Sequence, residues 1–301
     1  MMNNGLLLFF GILVAMVSSW FGFVHSPQVQ FGKHVPELDE STGKSFPVPR
    51  SGAANRGRDI YRPNGCASCH TQQVRQSGYE FSVVVDDFGT NTVQVSSVLA
   101  TISPNYSAGA DLPATPVTLK EGVDLRTAEG VVKSLTETGA AVMAKITSTG
   151  SDIERGWGLR RTVGRDYLLD SPVMLGNQRI GPDLSNLGNR NPDANWHLVH
   201  LFDPRKAVED SVMPSYGYLF EKRELNGKPA NDALKFNGEL VVDGEGRQVI
   251  PRRSAMDLVA YLLSLRLDEP IFEAPGQKSE KADSGESEEG TASESETGAN
   301  E

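Results

Sequence analysis

The sequence predicts a mainly α protein: a domain carried on a single N-terminal transmembrane helix and interrupted by a small inserted α/β sandwich. Three observations carry this prediction. Gly5 to Val24 (GLLLFFGILVAMVSSWFGFV) is an uncharged apolar run, close to the ~20 residues a helix needs to cross the hydrocarbon core. Helix-like segments precede Cys66 and recur as the stripe Val259, Leu262, Leu263, Leu265 near the end of the chain. Between them, residues 79–146 change to strand-like runs around one amphipathic helical segment.

At 301 residues, with 38% hydrophobic and 23% charged side chains, the chain has ordinary globular composition and room for one or two domains plus tails. The net charge of −10 is concentrated at one end, because residues 273–301 hold nine acids against Lys278 and Lys281. That stretch has almost no apolar residues and reads as a disordered acidic tail. No basic cluster points to nucleic acid, so a nucleic-acid partner is not expected. Residues 5–24 read as a retained anchor rather than a cleaved signal. The leader Met1-Met2-Asn3-Asn4 has no positive charge, the apolar run exceeds a usual signal core, and no Ala-x-Ala site follows. No cysteine lies near it to serve as a lipoprotein site. Residues 25–50, rich in Pro, Gly and charge, read as an extended linker.

The chemistry sits in Cys66-Ala-Ser-Cys69-His70. Two thiols and an adjacent imidazole at this spacing are the requirement for covalent haem attachment: the thiols add across the vinyl groups, and the histidine reaches the iron. Both cysteines of the chain fall in the motif, so one haem c is expected and no structural disulfide. Two other readings compete. Zinc needs four protein ligands, and only His25, His34, His197 and His200 are left to complete a site, with the last two too close for finger spacing. A thioredoxin-like pair needs a βαβ context that is not evident here. Haem c is attached outside the cytoplasmic membrane, which puts the bulk of the chain on the periplasmic side of a bacterial inner membrane.

The elements follow in order. From Ser51 the pattern is helical, with a hydroxyl available as N-cap and a helix expected to end at the motif. Phe81 to Val85 is strand-like, Val93 to Ile102 is apolar-patterned, Leu125 to Leu135 has helical spacing, and Val142 to Ile146 is a strand. The run Leu119-Lys-Glu-Gly-Val-Asp-Leu-Arg-Thr-Ala-Glu-Gly-Val-Val-Lys-Ser-Leu-Thr-Glu-Thr-Gly-Ala-Ala-Val142 resembles the C-terminal domain of the bacterial ribosomal stalk protein L7/L12. The resemblance implies three strands and three helices over an inserted domain at 79–150. The family's translation-factor contacts depend on a lysine-bearing helix, and Thr92 to Thr101 has no lysine, so that activity is not implied. Residues 51–78 and 151–270 are then the two halves of one discontinuous domain.

In the second half, Gly181-Pro-Asp-Leu-Ser-Asn-Leu-Gly-Asn-Arg190 resembles the loop covering the proximal histidine in class I cytochromes c. The resemblance implies that the Pro182 carbonyl accepts a hydrogen bond from His70 and that Arg190 faces a haem propionate. Trp157, Arg160 and Arg161 are further propionate candidates. Asn191-Pro192 reads as a helix cap ahead of Trp196, His197 and His200, and these histidines read as packed or hydrogen-bonded rather than metal-bound. Among seven methionines, those outside the anchor, the insertion and the apolar stripe are Met174 and Met213. Met213, in Ser211-Val-Met-Pro-Ser-Tyr216, lies in a proline-stiffened loop suited to presenting sulfur to iron. Gly238 to Pro251 reads as a hairpin turning at Asp243 to Gly246, and Ser254 to Asp257 as a capping box.

In this order the motifs resemble the mono-haem cytochrome c subunit, subunit II, of cbb3-type cytochrome c oxidases. The residues that carry the resemblance are Gly57-Arg-Asp-Ile-Tyr61, Gly65 to Arg75, Trp157-Gly158 with Arg160-Arg161-Thr162, Gly181-Pro-Asp-Leu184, Trp196-His197 with His200-Leu201, Asp203-Pro204-Arg205, and Val212-Met-Pro-Ser-Tyr216. It implies a class I cytochrome c domain with His70 and Met213 as axial iron ligands. It also implies single-electron relay from a donor cytochrome c toward a separate haem-copper catalytic subunit, alongside other cytochrome subunits, with no catalysis by this chain alone. Two departures stand out: Thr162 to Ile180 intervenes before the Gly-Pro-Asp-Leu loop, and Gly217-Tyr218 replaces the family's Pro-Trp. The cytochrome subunit of another membrane redox complex such as nitric oxide reductase, a free-standing membrane cytochrome and a haem sensor are the alternatives. The continuation Thr71 to Arg75 argues against the first of them.

Overall fold

The structure, a computed structural model, describes residues 4–32, 34–38, 43, 45–267, 271 and 273–275. The acidic tail expected at 273–301 lies, apart from residues 273–275, outside them. They divide into two compact units, Met1–Ser51 with Val163–Met174, and Gly52–Thr162 with Leu175–Glu301. Residues 163–174, expected within the cytochrome stretch, thus group with the N-terminal segment.

In the first unit, helix α1 (Gly5–Trp20) continues through a π-helical turn (Phe21–His25) into α2 (Ser26–Phe31). The resulting 26-residue stretch Gly5–Gln30 is long and apolar enough to cross a membrane. The linker expected from residue 25 therefore begins as helix. Pro27 falls in the first turn of α2, directly after the π-helical turn. Strands β1 (Glu37–Leu38) and β2 (Ser45–Phe46) then pair antiparallel. Arg50 makes a forked salt bridge to Asp170, and Arg165 pairs with Glu37 at 3.0 Å.

The second unit opens with α3 (Gly52–Tyr61). Its buried Ala54, Gly57 and Tyr61 lie at helical spacing on one face. The insertion follows as β3 (Gly78–Asp87), α4 (Thr92–Ile102), β4 (Val117–Val123), α5 (Leu125–Thr136) and β5 (Ala141–Thr149). The sheet order is β4-β3-β5, antiparallel throughout. Val83, Val85, Phe88, Val95, Leu99, Ala128, Val131, Leu135 and Ala140 form its own buried core. Asp124 caps α5 by accepting the Thr127 amide at 3.0 Å. The three expected strands are present, but the third helix is not: residues 103–116 form turns and irregular chain, with Pro104, Pro113 and Pro116 unable to donate to a helical ladder.

Short helices α6 (Ser151–Glu154), α7 (Leu187–Arg190), α8 (Ala194–Phe202) and α9 (Pro204–Ala207) follow, then β6 (Phe220–Arg223), β7 (Lys235–Phe236), β8 (Glu239–Leu240), β9 (Gln248–Pro251) and α10 (Arg253–Leu263). Helix α8 is capped by Asp193, whose carboxylate accepts the Asn195 amide at 2.8 Å, not by Asn191. The turn at Asp243 forms as expected, its carboxylate accepting the Glu245 and Arg247 amides, but β9 pairs with β6 rather than β8. The expected capping box at Ser254 is absent: α10 starts at Arg253, and Asp257 is taken by a fork from Arg56, with both contacts at 2.8 Å. Helices α3 and α10 pack together, and a Cβ on Gly57 would lie 1.9 Å from the Asp257 carbonyl oxygen. Only glycine allows this approach. The mainly α expectation is corrected to a mixed α/β chain, because the insertion's sheet and the strand pairs β6-β9 and β7-β8 stand beside the helices.

Candidate haem site

After α3 the chain turns at Gly65, in the left-handed region at φ +71°, into a 3-10 turn at Cys66–Ser68. The amides of Cys69 and His70 both donate to the Cys66 carbonyl, at 3.2 and 3.0 Å. One tight turn therefore carries both thiols and the imidazole. Both cysteines are free. Burial pushes the Cys66 thiol up to about 11. A raised thiol is the opposite of the activated thiolate of a redox pair. Among the described residues no group of three or more His, Cys, Asp or Glu is placed to hold a metal ion.

The imidazole is held by the loop after residue 175. Its Nδ1 lies 2.8 Å from the Pro182 carbonyl oxygen. A carbonyl can only accept, so Nδ1 carries the proton and Nε2 keeps the lone pair for a metal. Gly181 lies against the ring: a Cβ there would sit 2.2 Å from His70 Cε1. Backbone hydrogen bonds tie the two segments together, from Gly181 to the Cys69 carbonyl at 3.0 Å, Leu184 to Thr71 at 2.8 Å and Gln72 to Leu175 at 2.9 Å. Burial lowers the His70 pKa, the Pro182 carbonyl opposes that by accepting the Nδ1 proton, and Arg190 adds to the lowering.

Arg190 donates from Nη2 to the Asp183 carbonyl at 2.8 Å, while its buried Nη1 has no protein partner. Burial also lowers its pKa, with Asp183 opposing. A desolvated guanidinium with one unused N–H needs an acceptor, and a carboxylate would supply one. The other arginine candidates are placed differently. Arg160 is 1% exposed and donates to the Arg161 carbonyl at 3.1 Å, and the Arg161 guanidinium donates to the Glu273 carbonyl at 2.6 Å. Trp157 has the guanidinium carbons of Arg155 and Arg179 over its ring, at 5.0 and 5.2 Å from the centroid.

Met213 lies in the same compact unit as His70, half-buried, its amide donating to Ser211 Oγ at 3.3 Å; Met174 belongs to the other unit. Three residues beyond Met213, the Tyr216 hydroxyl donates to the Asn64 carbonyl at 3.4 Å, two residues before Cys66. His197 is buried, with Nε2 2.8 Å from the Asn191 carbonyl oxygen. His200 stacks on Trp196 at 4.8 Å. The sequence reading missed Arg179, Asp152 and Tyr216. Arg179 sits in the Thr162 to Ile180 stretch that looked like a departure from the family pattern, so nothing in the order of motifs marked it. With two free thiols on one turn, a lone pair at His70 Nε2 and an unused Arg190 N–H nearby, the residues present fit one haem.

Residues 145–264 match the family described as Cytochrome C oxidase, mono-heme subunit/FixO. The match supports a mono-haem cytochrome subunit of a cbb3-type oxidase, acting in electron transport. It spans less than half of the chain and starts beyond Cys66 to His70, at the point where β5 closes the insertion. No curated protein matches the chain.

Proposed function

We propose that the chain is a membrane-anchored c-type cytochrome that relays single electrons to the haem-copper catalytic subunit of a cbb3-type terminal oxidase. The observation that carries the reading is the His70 Nδ1 to Pro182 contact beside two free thiols, with Pro182 lying inside the segment that matches the oxidase subunit family. When bound, the haem supplies a one-electron ferric/ferrous couple. Cys66 and Cys69 hold it as thioethers. His70 gives Nε2 to the iron while Pro182 fixes the ring's orientation and raises its basicity, as outer partners of metal-bound imidazoles do. Met213 would give its thioether to the iron, a ligand that raises the potential relative to histidine. Arg190 gives its unused N–H to a propionate. The helical stretch Gly5–Gln30 holds this domain on the periplasmic face of the inner membrane, within reach of a donor cytochrome c.

Purification of the full chain from native membranes in mild detergent tests the assignment. Co-purification of a haem-copper subunit and other cytochrome subunits is expected; a nitric oxide reductase, or no catalytic partner, would overturn it. The ligand assignment has its own test. Met213→Ala should abolish the thioether-to-iron charge-transfer band of the oxidised protein, and its persistence would show that Met213 is not the ligand.

A further inference from the structure

We propose that Arg179 is a positioning residue for the proximal ligand, and that through it the base of the inserted domain sets how firmly Pro182 holds His70; this rests on the haem reading above. The guanidinium donates from Nε to Thr71 Oγ1 at 3.1 Å, from Nη2 to the Gln73 carbonyl at 2.6 Å and from Nη1 to Asp152 Oδ1 at 2.7 Å. Thr71 and Gln73 follow the proximal histidine directly. Both also meet Asp183, the residue after Pro182: Thr71 Oγ1 donates to Asp183 Oδ2 at 2.5 Å, and the Gln73 amide donates to the same oxygen at 2.7 Å. Arg179 and Asp183, paired with each other at 4.0 Å, therefore hold the irregular segment leaving His70 together, and Asp183 carries the loop that presents the Pro182 carbonyl.

The clamp is fastened at the insertion. Asp152 is 1% exposed and lies three residues past the end of β5. Its second oxygen accepts the Arg75 amide at 2.7 Å, so one carboxylate joins the chain entering the insertion to the residue that braces the proximal loop. A planar fork is needed to reach Thr71, Gln73 and Asp152 at once, and a lysine at 179 could not make the three contacts together. Loss of the clamp frees His70 from Pro182. A weaker Nδ1–H bond leaves the imidazole less basic, which disfavours ferric iron and raises the reduction potential.

Charge alone makes a different prediction, which allows a clean test on the full-length haem-loaded protein. Arg179→Lys keeps the cation and removes the fork. It should raise the midpoint potential enough to change the reduced-to-oxidised ratio at fixed ambient potential several-fold, and should speed solvent exchange of the His70 Nδ1–H proton in the reduced protein. Arg179→Gln removes the cation too; a field effect alone would lower the potential, whereas loss of the clamp raises it. Thr71→Val, which cuts the hydroxyl shared by Arg179 and Asp183, should shift the potential in the same direction by less, and it carries the test if the Arg179 variants fail to accumulate. Unchanged potential and proton exchange in Arg179→Lys, or in Thr71→Val in its place, would overturn the proposal even if melting temperatures fall. Failure of the wild-type chain to carry covalent haem would instead overturn the haem reading itself.

Discussion

The inserted domain and the region around Cys66 to His70 lie in one compact unit but are held together by different physics. The insertion closes on local, apolar contacts: its buried core runs from Val83 to Ala140, on two helices, strand β3 and the turns at Phe88 and Ala140. The candidate haem site is assembled from segments more than a hundred residues apart, through glycines that admit a close approach and through polar side chains with several partners each. Gly181 lies against the His70 ring, and Thr71 meets Asp183 across the whole insertion. A local core tolerates insertion into a host, because its closure depends little on where its ends go. A long-range polar site tolerates the interruption only where its two halves are brought back together. Here the Ser77 amide donates to the Thr149 carbonyl at 2.8 Å, so the insertion's ends meet.

The largest expected effect comes from breaking the long-range side. Gly181→Val would force side-chain atoms into the His70 ring, since even a Cβ would lie 2.2 Å from Cε1. Covalently attached haem, followed by haem-stained gel and reduced-minus-oxidised absorbance, should fall to near nothing. The matching test on the local side is Leu135→Ala, at a fully buried position in the insertion's core. It should cost the insertion about 2–5 kcal/mol, seen as lost amide-exchange protection in α4 and α5, while the haem spectrum stays as it was. If Leu135→Ala moved the haem spectrum as far as Gly181→Val does, the two regions would not be separately built.

The smallest expected effect is in pH dependence, and it too falls on the long-range side. Burial holds the His197 pKa below its ordinary 6.5, with the Asn191 carbonyl opposing and Arg190 adding to the lowering. The folded state therefore resists a proton that the unfolded chain takes up. The contribution is complete above about pH 6.5 and declines as the pH falls through that value toward the folded pKa. Denaturant midpoints should drop over this window, and His197→Gln should flatten the drop without removing it, because His200 is shifted in the same direction.

The same contrast decides what was legible in the sequence. Inside the insertion, the strand-like, β-branched run Phe81 to Val85 and the helical spacing of Leu125 to Leu135 report local structure, and both elements are present. The expected third helix misjudged residues 103–116, where prolines deny the ladder its donors. At the candidate haem site, Cys66, Cys69 and His70 stand out in the sequence because one turn carries them, and Pro182 because its loop follows a recurring sequence. Asp257 is different. Its position suggested a helix cap, but its partner is Arg56, a residue 201 positions away. Arg179 was invisible for the same reason: its three acceptors lie on segments that no short-range pattern connects to it.

Haem joined to Cys66 and Cys69 is tested most directly by acid-acetone extraction of the denatured chain. Haem should stay with the wild-type polypeptide and be lost from the Cys66→Ser, Cys69→Ser double variant; haem that leaves the wild-type chain into the solvent would contradict covalent attachment.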